Sequence, residues 1–163
     1  TTDSLTGLAN RNLFASRLKE ALALAERQNF RVGLLALDLD GFKAINDRFG
    51  HPCGDTLLKE VAARLLQYFR SSDTVARVGG DEFSIVMAGV ENLNSLESLV
   101  KRVIASVSKP VQLDGGEAVV GVSIGIACYP DHGQTPEALI KNADEALYRA
   151  KDAGKSTFKL ALD

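Results

Sequence analysis

From Val32 to Leu39 the chain is almost continuously apolar, broken only by Asp38, and the run ends in Asp38-Leu39-Asp40-Gly41. Such a run is expected of a central strand covered on both faces. Ahead of it, Phe14, Leu18, Leu22 and Ala25 recur on one helical face behind Asn10, a residue suited to cap a helix. After it comes a short polar-apolar segment, Phe42 to Phe49. Gly50-His51-Pro52-Cys53-Gly54 reads as a loop, and Asp55 opens a helix with Leu58, Val61, Leu65 and Phe69 at helical spacing. Thr74 to Met87 predicts a β-hairpin. Val75, Phe83, Ile85 and Val86 favour extended chain, and Gly79-Gly80 supplies the positive φ angles of a tight two-residue turn. Asn94 with Glu97 forms a capping pair ahead of the stripe Leu96, Leu99, Val100, Val103 and Val107. Val119 to Ala127 reads as a second central strand. Thr135-Pro136 starts a last helix that stops near Gly154, before a final strand from Ser156 to Leu160.

The order helix, strand, helix, hairpin, helix, strand, helix, strand contains a ferredoxin-like βαββαβ core with added helices and strands, and predicts an α/β sandwich. In such a sheet the end of the 32–39 strand lies beside the hairpin tip, which gathers Asp38, Asp81 and Glu82 into one pocket. Adjacent acids at a tip are better placed to hold a divalent cation than to support packing. Bare glycine backbone lets a bulky anion come close.

With 163 residues, 45% hydrophobic and 25% charged, the chain fits one compact soluble domain. Lys and Arg number 19 against 21 Asp and Glu, a net charge of -2, so no global basic field draws in nucleic acid or anionic lipid. Any phosphate binding is therefore local. Cys53 and Cys128 form neither a CxxC pair nor a metal-spaced cluster, which suits a reducing compartment. No apolar run approaches the roughly 18 residues of a membrane span, so a cytoplasmic domain is expected. The chain starts at Thr1 without an initiator Met, and a fragment of a larger multidomain protein, itself open to membrane anchoring, is the expectation.

Several motifs share one family resemblance. Gly79-Gly80-Asp81-Glu82-Phe83 resembles the signature of GGDEF domains, the diguanylate cyclases that join two GTP molecules into cyclic di-GMP. Asp3-Ser4-Leu5-Thr6-Gly7-Leu8-Ala9-Asn10-Arg11 resembles the family's opening motif, and Asp38-Leu39-Asp40-Gly41-Phe42-Lys43-Ala44-Ile45-Asn46-Asp47 its metal and nucleotide segment. Gly50-His51, Gly54-Asp55 and the stretch from Ala143-Asp144 to Lys155 complete a match over nearly the whole chain in the family's order. The resemblance implies a fold like that of nucleotidyl cyclase catalytic domains. It also implies a homodimer holding one GTP per domain, and sensory or EAL phosphodiesterase domains elsewhere in the parent.

Each motif also has chemistry of its own. Asp-x-Asp-Gly is similar to a calcium loop, but Phe49 stands where the closing Glu would be needed, so Mg²⁺ (or Mn²⁺) shared with substrate phosphates fits better. Side chains alternate, so Asp38 and Asp40 share one face. By resemblance, Asp38, the Leu39 carbonyl and Glu82 coordinate metal with Asp81 beside them. Phosphoryl transfer needs an in-line nucleophile, here a ribose 3′-hydroxyl, and positive charge over the phosphate oxygens. Asp81 or Glu82 can accept the proton; the family implies Asp81 for chemistry and Glu82 for metal. Resemblance also places Gly79, Gly80, the backbone at Phe42-Lys43 and the ammonium groups of Lys43 and Lys151 around the phosphates. Lys155, where many members carry Arg, keeps the charge of a transition-state contact but loses the planar fork.

On residue type alone Asn46 and Asp55 are a turn former and a helix cap. As an amide and a carboxylate they can also read guanine's edge, where the resemblance places them. His51 reads as a loop organiser and His132 as a loop residue, with no cluster around either. Arg70-Ser71-Ser72-Asp73 is by itself a helix C-terminal cation followed by a turn. Its spacing to Gly79 resembles the family's inhibitory RxxD site for cyclic di-GMP, with Arg102 as a further contributor. A rival reading is a silent domain that binds GTP or cyclic di-GMP and controls a neighbouring EAL phosphodiesterase. An adenylyl-type cyclase is disfavoured by Asn46 and Asp55.

Overall fold

The apolar run becomes β1 (Arg31–Asp40), the middle strand of the main sheet, buried along most of its length. In this computed structural model, which describes residues 1–162, the chain runs α1 (Arg11–Gln28), β1, α2 (Phe42–Phe49), α3 (His51–Leu66), β2 (Thr74–Arg77), β3 (Glu82–Val90), α4 (Leu93–Val107), β4 (Val111–Leu113), β5 (Gly116–Ala118), β6 (Gly121–Tyr129), α5 (Pro136–Asp152) and β7 (Phe158–Leu160). The main sheet is ordered β2-β3-β1-β6-β7. β1 is antiparallel to β3 and β6, and only β7 joins in parallel. The elements β1, α3, β2, β3, α4 and β6 make the expected βαββαβ core, with the first strand between the third and fourth.

Alternation along β1 sorts the two faces. Leu35, Leu37 and Leu39 pack with Leu57, Val61 and Leu65 of α3 and Val100 and Val103 of α4. Val32, Leu34 and Ala36 pack with Phe14, Leu18 and Leu22 of α1 and Leu139 and Ala143 of α5. The sheet is thus covered on both sides, and Asp38 and Asp40 fall on the α5 side. α5 crosses β6 at Gly125 so closely that a Cβ there would stand 2.1 Å from the Ala143 carbonyl oxygen.

The caps at Asn10 and Thr135 form as expected, each side-chain oxygen accepting from the N–H three residues on. Several boundaries move. The expected loop at 50–54 is mostly helix. Gly50, at φ 92°, turns the chain and α3 starts at His51, since Pro52 in the first turn needs no N–H partner. Asp55 therefore lies within α3 rather than capping it, and His51 is a helical residue rather than a loop organiser. α3 also stops at Leu66, short of Phe69. The segment 42–49 is itself a helix. α4 is capped by Asn92, whose Oδ1 accepts from Ser95 N at 2.8 Å, and Asn94 falls inside it. β6 is displaced by two residues, β7 is shorter, and β4 with β5 forms a separate hairpin that periodicity did not indicate. His132 stands in a loop but is buried, its Nδ1 accepting from Cys128 N at 2.8 Å. Both cysteines are free thiols, and burial, then the charge of Asp131, pushes the Cys128 thiol up to about 11. Among the described residues no helix is long and apolar enough to cross a membrane.

Candidate active site

β1 and β3 pair so that Asp38 stands opposite Glu82, and Leu39 N donates to the Asp81 carbonyl at 3.1 Å. The register thus gathers Asp38, Asp81 and Glu82 at one end of the sheet. The turn that carries the acids is wider than a two-residue hairpin. Residues 78–81 separate the strands, and the N–H groups of Val78 and Gly79 both donate to the Glu82 carbonyl, at 3.0 and 3.3 Å. Neither Gly79 nor Gly80 has a positive φ, because four residues share the reversal. The glycines matter for space instead. A Cβ on Gly79 would lie 2.9 Å from Glu82 Oε2, whereas one on Gly80 would meet nothing within 4 Å, leaving that backbone open to a large group.

Two arginines hold this turn. Arg77 Nε donates to the Gly80 carbonyl at 3.0 Å, and its guanidinium pairs with the Asp3 carboxylate at 3.1 Å. Arg11 donates to the Val78 carbonyl. Burial tends to raise the Asp3 pKa, but hydrogen bonds from Thr6 and the charge of Arg77 outweigh it and hold it below the usual range. Arg11 and Asp3 lie in the opening motif and Arg77 just before the glycines, yet nothing local in the sequence gives them this role.

Lys151, on α5, places Nζ 3.3 Å from Asp38 Oδ2 and 3.1 Å from Asp40 Oδ1. Asp40 has further commitments, accepting from Ser123 Oγ at 2.9 Å and Ser156 N at 3.0 Å. Among the described residues, Asp38 has no partner of that kind beyond Lys151. Burial, then the charge of Asp81, with Glu82 adding, raises the Asp38 pKa against the pull of Lys151. Excess negative charge in a half-buried place is the electrostatic mark of a cation site. Burial works against the Lys151 ammonium, but its hydrogen bond to Asp40 and the charges of Asp38 and Asp40 raise its pKa.

A cavity of about 270 Å³ opens between these groups, lined by Asp38, Glu82, Ser84, Asp144, Tyr148 and Lys151 among others. Asp144, Tyr148 and Lys151 follow i, i+4, i+7 spacing on α5 and share one face. Only Lys151 was expected there, although that spacing was available to find the other two. Burial, then the charge of Glu82, raises the Asp144 pKa, with Arg11 opposing. Among the described residues no three His, Cys, Asp or Glu side chains stand close enough to hold a metal ion by themselves.

Phe42 is buried and Lys43 exposed in the first turn of α2, behind Gly41. Asn46 Oδ1 is buried and has no hydrogen-bond partner among the described residues, and a Cβ on Gly54 would stand only 1.7 Å from it. Asp55 follows, exposed on α3. Lys155 is exposed beyond the end of α5 at φ 66°, next to the Ser156 N–H that binds Asp40. At the 70–73 turn, Arg70 is 62% exposed while the Asp73 side chain is 1% exposed, its Oδ2 accepting from Arg70 N at 2.9 Å. The Arg70 guanidinium donates to the Ala88 carbonyl at 2.8 Å, and Arg102 stacks over the Tyr68 ring at 5.4 Å. The structure therefore gathers the acids with Lys151, and Asn46 with Gly54. It leaves Asp73 turned inward.

A strand-end acid pair, an acidic turn and a helix-borne lysine thus stand at one end of a βαββαβ sheet, the fold class of nucleotidyl cyclase catalytic domains. Residues 1–157 match the family model described as "Diguanylate cyclase, GGDEF domain", and the chain belongs to the GGDEF family. It is 44% identical over 156 residues to the bifunctional diguanylate cyclase/cyclic di-GMP phosphodiesterase MucR of Pseudomonas aeruginosa, covering 96% of this chain and 23% of MucR. It is 42% identical to the diguanylate cyclase TpbB of the same species, covering 98% of this chain and 37% of TpbB. The chain thus spans well under half the length of these relatives. A solved structure of TpbB comprising only the GGDEF domain superposes with a TM-score of 0.96 at 42% identity, covering 99% and 95% of the two chains. The coiled coil and GGDEF domain of DgcB from Caulobacter crescentus, in complex with c-di-GMP, superposes with a TM-score of 0.90 at 30% identity, covering 99% and 85%.

Proposed function

We propose that this chain is the catalytic domain of a diguanylate cyclase, condensing two GTP into cyclic di-GMP with release of two pyrophosphates. The observation that carries the reading is the opposition of Asp38 and Glu82 across β1 and β3, beside the acidic turn and the Lys151 ammonium. Hard carboxylate oxygens at Asp38 and Glu82, with the Leu39 carbonyl and Asp81 close by, fit Mg²⁺ or Mn²⁺, and the excess negative charge at Asp38 favours such an ion. When bound, the ion supplies charge to the phosphate oxygens and acidity to the attacking hydroxyl.

The chain's own groups do the rest. Lys151 and Lys43, with the open backbone at Gly79 and Gly80, hold the β- and γ-phosphates, and Lys155 adds charge as pyrophosphate leaves. Asn46 and Asp55 read the guanine edge; the unpaired Asn46 Oδ1 is an acceptor that supports this role. Asp81 or Glu82 takes the proton from the 3′-hydroxyl as it attacks the facing α-phosphate. One GTP per domain makes two domains necessary. Arg70 and Arg102 bind product as a brake, with Asp73 joining them once its side chain rotates out of the 70–73 turn.

The test is the rate of cyclic di-GMP formation, identified by chromatography, against protein concentration with GTP, ATP and Mg²⁺. A rate rising more than linearly, and rising further on forced dimerisation, is expected with GTP alone; strictly linear rates at all concentrations would contradict it. A relative 39% identical over 157 residues, PdeR of Escherichia coli, is named only as a cyclic di-GMP phosphodiesterase, which favours a second reading: a domain that binds GTP or cyclic di-GMP and regulates a neighbouring EAL phosphodiesterase. GTP binding without product under forced dimerisation would select it.

A further inference from the structure

The corner between α2 and α3 is held from outside. α2 ends at Phe49, Gly50 reverses the chain at φ 92°, and α3 begins, placing Asn46 against Gly54. Asn46 Oδ1 has no hydrogen bond to fix it, so its position depends on how α2 packs on α3. The β4–β5 hairpin presses on that corner. Cys53 Sγ donates to the Asp114 carbonyl in the hairpin turn at 3.5 Å. The Phe49 ring lies against Gly115 and Gly116, where an added Cβ would be 3.9 and 3.5 Å from it. Both glycines have positive φ, 96° and 144°, a turn shape that side chains disfavour, and bare backbone meets the ring. At the other end the hairpin is anchored, with Val111 and Ala118 buried in the α3–α4 core, and Gln112 bonded to Glu117 across it at 2.7 Å.

We propose that the β4–β5 hairpin is a strut that positions the base-reading corner, acting through Cys53 and Phe49 on Asn46 and Asp55. This rests on the reading of Asn46 and Asp55 as guanine-facing groups. Cys53, Phe49 and Gly116 are positioning residues and touch no nucleotide. Among the described residues, the cavity beside Asp38 and Lys151 is lined by none of the hairpin, Cys53 or Phe49, so loosening the strut should reduce selection of the base and leave the phosphate end alone.

The experiment compares the protein with its Cys53→Ala, Cys53→Ser and Gly116→Ala variants, titrating GTP and ATP and measuring KM and kcat in the forced dimer. Cys53→Ala and Gly116→Ala should weaken GTP binding about fivefold, the scale of one lost hydrogen bond, with ATP binding unchanged. The expected split is a raised KM with kcat at saturating GTP within about twofold. Cys53→Ser keeps a donor and should return GTP affinity to within about twofold of the parent. If Cys53→Ala melts early, Gly116→Ala, at the exposed start of β5, carries the test. Unchanged GTP affinity in the Ala variants, or equal losses for GTP and ATP, overturns the proposal. Asp55→Ala separates the two ideas. If it also leaves GTP binding intact, the base-reading assignment has failed; if it weakens GTP while the hairpin variants do not, only the strut has.

Discussion

Gly125→Ala is the most telling single substitution, because it adds one methyl group where α5 leaves no room. The new Cβ would stand 2.1 Å from Ala143 O and 2.3 Å from Leu147 N. Both are backbone atoms, so no change of rotamer relieves the clash. Moving from 2.1 Å to the 3.4 Å of ordinary contact requires α5 to shift by about 1.3 Å. Overpacking of a tight core costs about 1–3 kcal/mol, and displacement of a whole helix puts this change near the upper end. For a domain of this size that is a melting-temperature drop of about 6–12 °C. The same shift moves Lys151, whose Nζ now lies 3.3 and 3.1 Å from Asp38 and Asp40, out of hydrogen-bond range. A misplacement of about 1 Å costs on the order of a hundredfold in rate, so kcat/KM should fall by that factor in the forced dimer. Urea unfolding measures the first effect, and cyclic di-GMP formation with GTP titration measures the second. Stability within about 0.5 kcal/mol of the parent, together with unaltered GTP affinity and rate, would refute the claim that this contact positions Lys151.

Two further outcomes follow from groups away from the chemistry. Arg64 donates to the carbonyls of Ser106, Val107, Lys109 and Pro110 at 2.7–3.2 Å, closing the end of α4. Arg64→Met should cost about 3 kcal/mol in urea unfolding, and a loss under about 0.5 kcal/mol would show those carbonyls to be satisfied without it. Asp144 has a folded pKa raised above 3.8 by burial and by Glu82, so its stability contribution is greatest below that value and is lost as pH rises through the folded pKa. Asp144→Asn should therefore gain melting temperature relative to the parent as pH goes from about 4 to about 7, and a constant difference would refute the sign.

Local signals served well where a residue's role depends on near neighbours. Asn10 and Thr135 cap because each side chain needs only the N–H three residues on. The run 32–39 is a central strand because nothing polar interrupts it before Asp38. The same reasoning fails at 50–54, where Gly and Pro read as breakers although Pro52 suits a first helical turn. It missed β4 and β5, whose three-residue strands are too short to show a period. Gly79 and Gly80 signalled a turn correctly, but the reason is room for Glu82 rather than positive φ.

By itself the sequence determined the kinds of chemistry available: adjacent acids after two glycines, an acidic strand end, lysines near the last helix, an amide and a carboxylate before it. Only tertiary structure decided which of these groups are committed and which are open. Asp38 and Asp40 are two residues apart on one strand face, equivalent to any local rule. Both meet the Lys151 ammonium, yet Asp40 is further occupied by Ser123 and Ser156, while Asp38 faces Glu82 across the sheet. Alternation assigns a face from the nearest neighbours. Occupancy, register and charge are set by partners that the fold brings from far along the chain.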